Sequence, residues 1–237
     1  MAQATGSGDT REGGPRGGDG VLRQRSAGMV EDVARELEED IALGRLHPRE
    51  RLVEDTLIER FGAKRHVVRS ALASLEARGA VERRANVGAF VRSYSAKEVR
   101  DLYDVRELLE VSCARAIEVP LADDVLAPLE EVQREHDRAV DAGDRRGALR
   151  ANLAFHEVLF GLAGNQVLVD AVRRHARMAS PIRSITVTDD AHLRRARDEH
   201  RGMIRALRDG DTPRLVELCT VHLQPSRDAY LRRIGDG

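Results

Sequence analysis

Apolar residues recur at helical spacing along most of this chain and alternate in only one short stretch. Val30, Val33, Ala34, Leu37 and Ile41 follow an i, i+3, i+4, i+7, i+11 pattern that stops at Gly44, predicting a first amphipathic helix. A short second helix is predicted from Glu54 to Phe61, then a turn at Gly62–Ala63. A third helix should run from Arg65 to Gly79, with Val68, Leu72 and Leu75 on its inner face and Gly79 as its stop. Ala80–Arg84 and Ala89–Ser93 then alternate around Ala85-Asn86-Val87-Gly88, the pattern of a β-hairpin. Helix, helix, turn, helix, hairpin is the order of a winged helix-turn-helix.

Beyond Ala96 every segment has helical period. Helices are expected near 96–119, 123–142, 144–163, 166–180, 190–209 and 212–234, punctuated by Gly143, Gly164-Asn165, Pro181 and Gly210-Asp211. The expected fold is mainly α: an N-terminal winged helix-turn-helix with a small β-hairpin, then a C-terminal all-α antiparallel helical bundle. Residues 1–25, rich in Gly, Arg and Asp with little to bury, are expected to form a disordered tail. The winged domain should occupy 26–94 and the helical domain 95–237.

Composition narrows the class. The chain has 237 residues, 41% hydrophobic and 33% charged, with 3% aromatics and no Trp, so its cores must be aliphatic. No apolar run approaches the roughly 18 residues of a membrane span, and the N-terminus lacks the apolar stretch of a secretion signal. Cys113 and Cys219 sit in apolar helical patterns, as reduced core residues do. A cytoplasmic protein is expected. Only Lys64 and Lys97 are lysines among 39 basic residues, so an arginine by itself is weak evidence of a bidentate contact.

A net charge of −1 conceals a local imbalance. Residues 26–44 carry one arginine against six acids, while 45–92 carry eleven Lys or Arg against six acids. The basic excess falls on the second and third helices and the hairpin, where a groove-reading helix and its wing need it. Arg65 and Arg69, four apart, share a face opposite Val68, Leu72 and Leu75, with His66 beside them. Such a helix can bury one side and offer guanidinium forks to guanine edges or phosphates. Charge spacing alone also describes an ordinary solvated face; the turn, the hairpin and the local charge favour a DNA reader.

Residues 29–92 resemble the winged-helix domain of GntR-family bacterial transcription regulators. The resemblance rests on Ile41-x2-Gly44-x-Leu46-x-Pro48, Glu50-Arg51-Leu52-Val53-Glu54 and Leu57-x3-Phe61-Gly62. It continues through Arg65-x2-Val68-Arg69-x-Ala71-Leu72-x2-Leu75 to Gly79, Asn86 and Gly88-Ala89-x-Val91. It implies that Arg51, Arg65 and Arg69 contact operator DNA, with Gly88 as the wing glycine. Lys64 stands where a Ser usually caps the recognition helix, which removes a cap worth about 1 kcal/mol but offers a cation to a phosphate. His66-Val67 replaces a Thr-Pro pair, Ser70 a Glu, and Val87 a frequent Arg. The expected DNA-contacting set is Arg51, Lys64, Arg65, His66, Arg69 and Gly88.

The helical domain carries its own anomaly. His156, His200 and His222 each fall on the apolar face of a different helix, with Asn152 one turn before the first. A lone histidine on such a face is usually a satisfied core residue. Three on three helices suggest a shared divalent transition metal, because buried imidazoles need partners. Zinc is the first expectation, with nickel or another such ion behind it. Leu102, Val105, Leu109 and Cys113 form the apolar stripe of the domain's first helix, and Arg106 falls within it. Its guanidinium either pairs with Glu110 at i+4 or clamps a ligand carboxylate, and Tyr103 could offer a hydroxyl.

Residues 97–234 resemble the FCD ligand-binding domain of the FadR subfamily. The matching residues are Tyr103-x2-Arg106-x3-Glu110, Asn152-x3-His156-x7-Gly164-Asn165, Glu199-His200-x9-Gly210-Asp211 and His222. The resemblance implies a metal held by an Asp and three His, with a small carboxylate effector on the metal and a nearby Arg. Here Asn152 replaces the Asp, leaving the site at +2 rather than +1, so weaker metal retention and a stronger pull on an anion are expected. The reading is a homodimeric, non-enzymatic transcription regulator, with repression relieved by effector as the expected mode. The alternatives are a metal-dependent hydrolase or lyase with an accessory DNA-binding domain, and a DNA-binding regulator with a purely structural metal.

Overall fold

The computed structural model describes residues 17–235. The first helix, α1 (Gly17–Ala42), begins eight residues before the end of the stretch expected to be disordered. Once a helix is nucleated on packed residues, each further turn adds a hydrogen bond per residue at little cost, so a polar lead-in can continue it. Residues 1–16 lie outside the described residues. Val33, Ala34, Leu37 and Ile41 are buried as their spacing predicts.

The winged domain continues through β1 (Arg51–Leu52), α2 (Glu54–Phe61), α3 (Arg65–Ala77), β2 (Val81–Arg84) and β3 (Gly88–Val91). Val67, Val68, Ala71, Leu72 and Leu75 of α3 pack with the α1 stripe into one core. Gly62 caps α2 at φ 57°, and Gly79 follows α3 at φ 75°. The left-handed backbone needed at both helix exits explains why glycine stands there. The hairpin forms as expected, but the sheet has three strands in the order β1-β3-β2, all antiparallel. Two-residue β1 is too short to alternate visibly, so no sequence pattern announced it.

The helical domain comprises α4 (Ala96–Ala116), α5 (Asp123–Asp141), α6 (Arg145–Gly161), α7 (Gln166–Met178), α8 (Ser180–Arg183), α9 (Asp190–Asp209) and α10 (Thr212–Gly235). A capping box between Ser95 and Glu98 starts α4. Pro181 does not separate two elements; it sits in the first turn of α8, where its missing N–H costs nothing. Cys113 and Cys219 are free and buried in the main aliphatic cluster. The stripe assigned to α4 needs one correction: Val105 is 39% exposed, and Leu108 beside it is 70% exposed. The helix is sandwiched against α7 and α10 over a narrower arc than the sequence pattern implied. No helix among the described residues is long and apolar enough to cross a membrane.

The acidic run of α1 faces the helical domain. Glu39 accepts two hydrogen bonds from Arg150 of α6, at 2.6 and 2.9 Å. Asp40, almost fully buried, pairs with Arg146 of α6 at 3.1 Å and with Arg45 and Arg60 of its own domain. Tyr94 is a second tie: its hydroxyl donates to the Gly79 and Met178 carbonyls, and its N–H donates to the Tyr230 hydroxyl. Of the acids in residues 26–44, Glu39 and Asp40 meet arginines across the internal boundary, while Glu31, Asp32 and Glu38 pair with Arg78 or Arg35 of their own domain.

Candidate functional site

α6, α9 and α10 bring the three predicted histidines together. One ring nitrogen from each of His156, His200 and His222 lies within 4.8 Å of the other two. His156 Nε2 and His222 Nε2 are 3.0 Å apart. Two nitrogens each about 2.0–2.1 Å from a shared ion stand about 3 Å apart, so this spacing suits a metal. Two of the Nδ1 sides are backed by polar groups: His222 Nδ1 lies 2.7 Å from Glu199 Oε2, and His200 Nδ1 lies 3.0 Å from Gln133 Oε1, while His156 Nδ1 is buried with no partner among the described residues. Such backing fixes the ring orientation and leaves Nε2 for a ligand. His200 Nε2 is buried with no hydrogen-bond partner among the described residues. An orphaned nitrogen at the centre of an imidazole cluster fits a metal far better than an apolar core.

Burial shapes the protonation of this cluster. His156 and His200 are held well below the ordinary histidine value, first by desolvation and then by neighbouring cations and imidazoles. They therefore stay neutral, the form that ligates metal. Burial would raise the Glu199 carboxyl, but its bonds to His222 and Arg195 outweigh that and hold it low. His200 also stacks on Phe155, with ring centroids 3.9 Å apart.

A cavity of about 610 Å³ opens beside the cluster. His156, His222 and Asn152 line it, as do Arg106 and Glu110. Its far wall reaches Glu38 and Glu39 of α1. Asn152 is half-buried one turn before His156, in reach of the same space. Arg106 takes the i+4 pairing: its Nε and a terminal nitrogen both donate to Glu110 Oε1, at 3.2 and 2.9 Å. Tyr103 does not line the cavity. Its hydroxyl bonds Ser226 at 2.8 Å, and its ring lies 4.9 Å from the Arg106 guanidinium carbon.

One residue that the sequence reading passed over belongs to this neighbourhood, beside Arg183, for which the sequence offered a place near the pocket but no spacing argument. His136 of α5 is fully buried, 5.2 Å ring to ring from His200, and neither of its nitrogens has a partner among the described residues. Burial pushes it down to about 4. Leu126, Leu129, Gln133 and His136 form a helical stripe that could have revealed it, but Glu135 and Asp137 on either side gave it a solvated look. Arg183 of α8 lines the cavity as well.

In the winged domain, Arg51, Lys64, Arg65, His66, Arg69 and Gly88 are all exposed. Lys64 begins α3 with no side-chain cap, as expected. Arg69 Nε donates to both oxygens of Glu54, at 3.1 and 2.9 Å, and Arg65 bonds Asp55 at 2.7 Å. Arg51 reaches the wing turn, donating to the Val87 carbonyl at 2.9 Å. Gly88 has φ 127°, a backbone that disfavours any side chain, and a Cβ there would be in ordinary contact with Arg51 Nε at 3.6 Å.

Two family models match the chain: that of bacterial regulatory proteins of the gntR family over residues 29–91, and that of the FCD domain over residues 101–225. The chain belongs to the GntR family and carries an FCD domain. It is 29% identical over 189 residues to the Nta operon transcriptional regulator of Aminobacter aminovorans, covering 79% of this chain and 87% of that one. It is 28% identical over 186 residues to the Probable D-xylose utilization operon transcriptional repressor of Paenarthrobacter nicotinovorans, covering 77% and 80%. Among solved structures, E. coli McbR/YncC superposes with a TM-score of 0.74 at 21% identity, over 87% of this chain and 98% of that one. This GntR-family protein is a DNA-binding transcription regulator and not an enzyme, which removes the hydrolase alternative.

Proposed function

We propose that this regulator is a homodimeric repressor whose operator affinity is set by a small carboxylate bound at a metal in the helical domain. The observation that carries this reading is the convergence of three imidazoles beside a cavity that also holds Arg106. His156, His200 and His222 would hold a divalent transition metal, zinc first, with Asn152 as a weak fourth ligand. When bound, the metal supplies a cationic anchor for a carboxylate. Arg106 adds hydrogen-bond donors already aimed along the cavity wall by Glu110, and Tyr103 steadies that guanidinium from below. On the DNA side, Arg65, Arg69 and Lys64 would meet phosphates and base edges, His66 would flank them, and Arg51 would follow the wing past Gly88. Exposed Val105 and Leu108 on α4 offer an apolar surface to a second copy, which a two-fold operator requires.

The test is a thermal-shift screen of small organic acids on purified protein, with and without chelator, alongside metal analysis. Acid-dependent stabilisation that vanishes on chelation is expected, as is release of labelled operator DNA by the same acids. Retention of metal should fall in His156→Ala and rise in Asn152→Asp, because a carboxylate binds a divalent ion more strongly than an amide. Equal metal content in wild type and Asn152→Asp would remove Asn152 from the ligand set.

A further inference from the structure

Arg183 lines the cavity with its Nε buried and without an acidic partner among the described residues, whereas Arg177, also without one, is exposed. The Arg183 terminal nitrogen donates to the Ala176 carbonyl at 2.9 Å and to Ser180 Oγ at 3.4 Å. Both are neutral acceptors. Its Nε is buried without a partner, and no carboxylate among the described residues lies within ion-pair distance of it. Arg106, by contrast, is already matched by Glu110. Glu38, an acid of the same cavity lining, is itself engaged by Arg78 at 3.2 Å. An unmatched guanidinium in a water-poor wall is unfavourable unless an anion arrives to meet it.

We propose that Arg183 is the receptor for a second anionic group, so that the effector of this regulator is a dianion bound at both ends. One end would meet the metal held by the histidines; the other, a carboxylate or a phosphate, would take the planar fork of Arg183. This rests on the metal-anchored reading above for the first end only. The second end stands on Arg183 itself. Burial and the neighbouring Arg106 lower the guanidinium to about 10, which still leaves it charged at neutral pH.

The experiment measures binding by calorimetry to the full-length, zinc-loaded chain. Malonate, succinate and glutarate are compared with propionate, butyrate and valerate, and 2-phosphoglycolate with glycolate. At least one dianion should bind about tenfold or more tighter than its monoanionic partner, the scale of a charge-assisted hydrogen-bond pair. A dicarboxylate preference assigns Arg183 to a carboxylate, and a phosphoglycolate preference to a phosphate. Arg183→Met should erase the preference, read as the ratio of dianion to monoanion affinity, and Arg183→Lys should keep part of it. No preference for any dianion, or a preference that survives Arg183→Met, overturns the proposal. The wild-type comparison needs no variant, so a poorly folding Arg183→Met cannot shield it. Zinc-dependent monoanion binding without dianion preference leaves the metal reading standing and removes this one. Arg183-dependent dianion preference that persists after chelation does the reverse, and absence of any binding removes both.

Discussion

At the scale of single residues, the arginines proposed to read DNA are paired with acids of their own domain. Arg69 lies on both oxygens of Glu54, and Arg65 on Asp55. These pairs are more than half exposed on the arginine side, so each contributes at most about 1 kcal/mol and can be exchanged for a phosphate or a guanine edge. Glu54→Gln should therefore raise operator affinity about three- to tenfold, read by anisotropy of labelled DNA. Arg69→Ala should weaken binding about tenfold or more. If Arg69 touches a phosphate, the salt dependence should become shallower by about one ion; if it reads a base, that slope should hold and discrimination at one position should fall. The face bearing these arginines was legible in sequence because i, i+4 spacing fixes which side chains share a helix surface. Their partners were not. Glu54 is fifteen residues from Arg69, and only the folded angle between α2 and α3 brings them together.

Element by element, the helices were legible and the short pieces were not. The long helices of the second domain announced themselves through apolar periodicity, and glycines marked the turns after α5, α6 and α9. β1 and α8, of two and four residues, are too short to carry a period. Yet α8 matters most to the cavity, because it delivers Arg183. The three histidines converged as their apolar settings suggested. Arg106 resolved to its Glu110 pairing, and His136 was hidden by charged neighbours in the chain. α8 also touches α1: Ser180 Oγ donates to Glu38 at 3.2 Å, and Glu38 pairs with Arg78, the C-cap of α3. Ser180→Ala should leave anion binding by calorimetry unchanged but reduce the response of operator affinity to that anion. An undiminished response would separate α8 from transmission. Where α3 ends, Gly79 has φ 75°, and an added Cβ would stand 3.0 Å from Met178. Gly79→Ala should cost about 1–3 kcal/mol in denaturant unfolding, because it combines a left-handed backbone with a close contact.

Across the whole molecule, ionic ties join the winged and helical domains through α1. Glu39 and Asp40 are buried beneath Arg150 and Arg146, and Tyr94 bonds elements of both domains. Buried acids depend strongly on these partners. Wild-type protein should unfold in one calorimetric transition, whereas Arg146→Ala combined with Arg150→Ala should separate it into two. A single unshifted transition in the double variant would show that Tyr94 and apolar packing suffice. The acidic stretch was plain in the sequence, but its purpose was not. Opposite charges more than a hundred residues away leave no local signature.

The carboxylates that hold Arg65 and Arg69 have a consequence for speed. A regulator must sample a great length of chromosome before it meets its operator, and time spent on each wrong segment delays it. With Arg65 and Arg69 contacting DNA as proposed, Glu54 and Asp55 would compete with every passing phosphate, so random sequence would have to displace them for a meagre return and would soon be released. An operator that added base contacts would repay the exchange. The two acids of α2 would then act as a brake on loitering, weakening the grip while shortening the hunt.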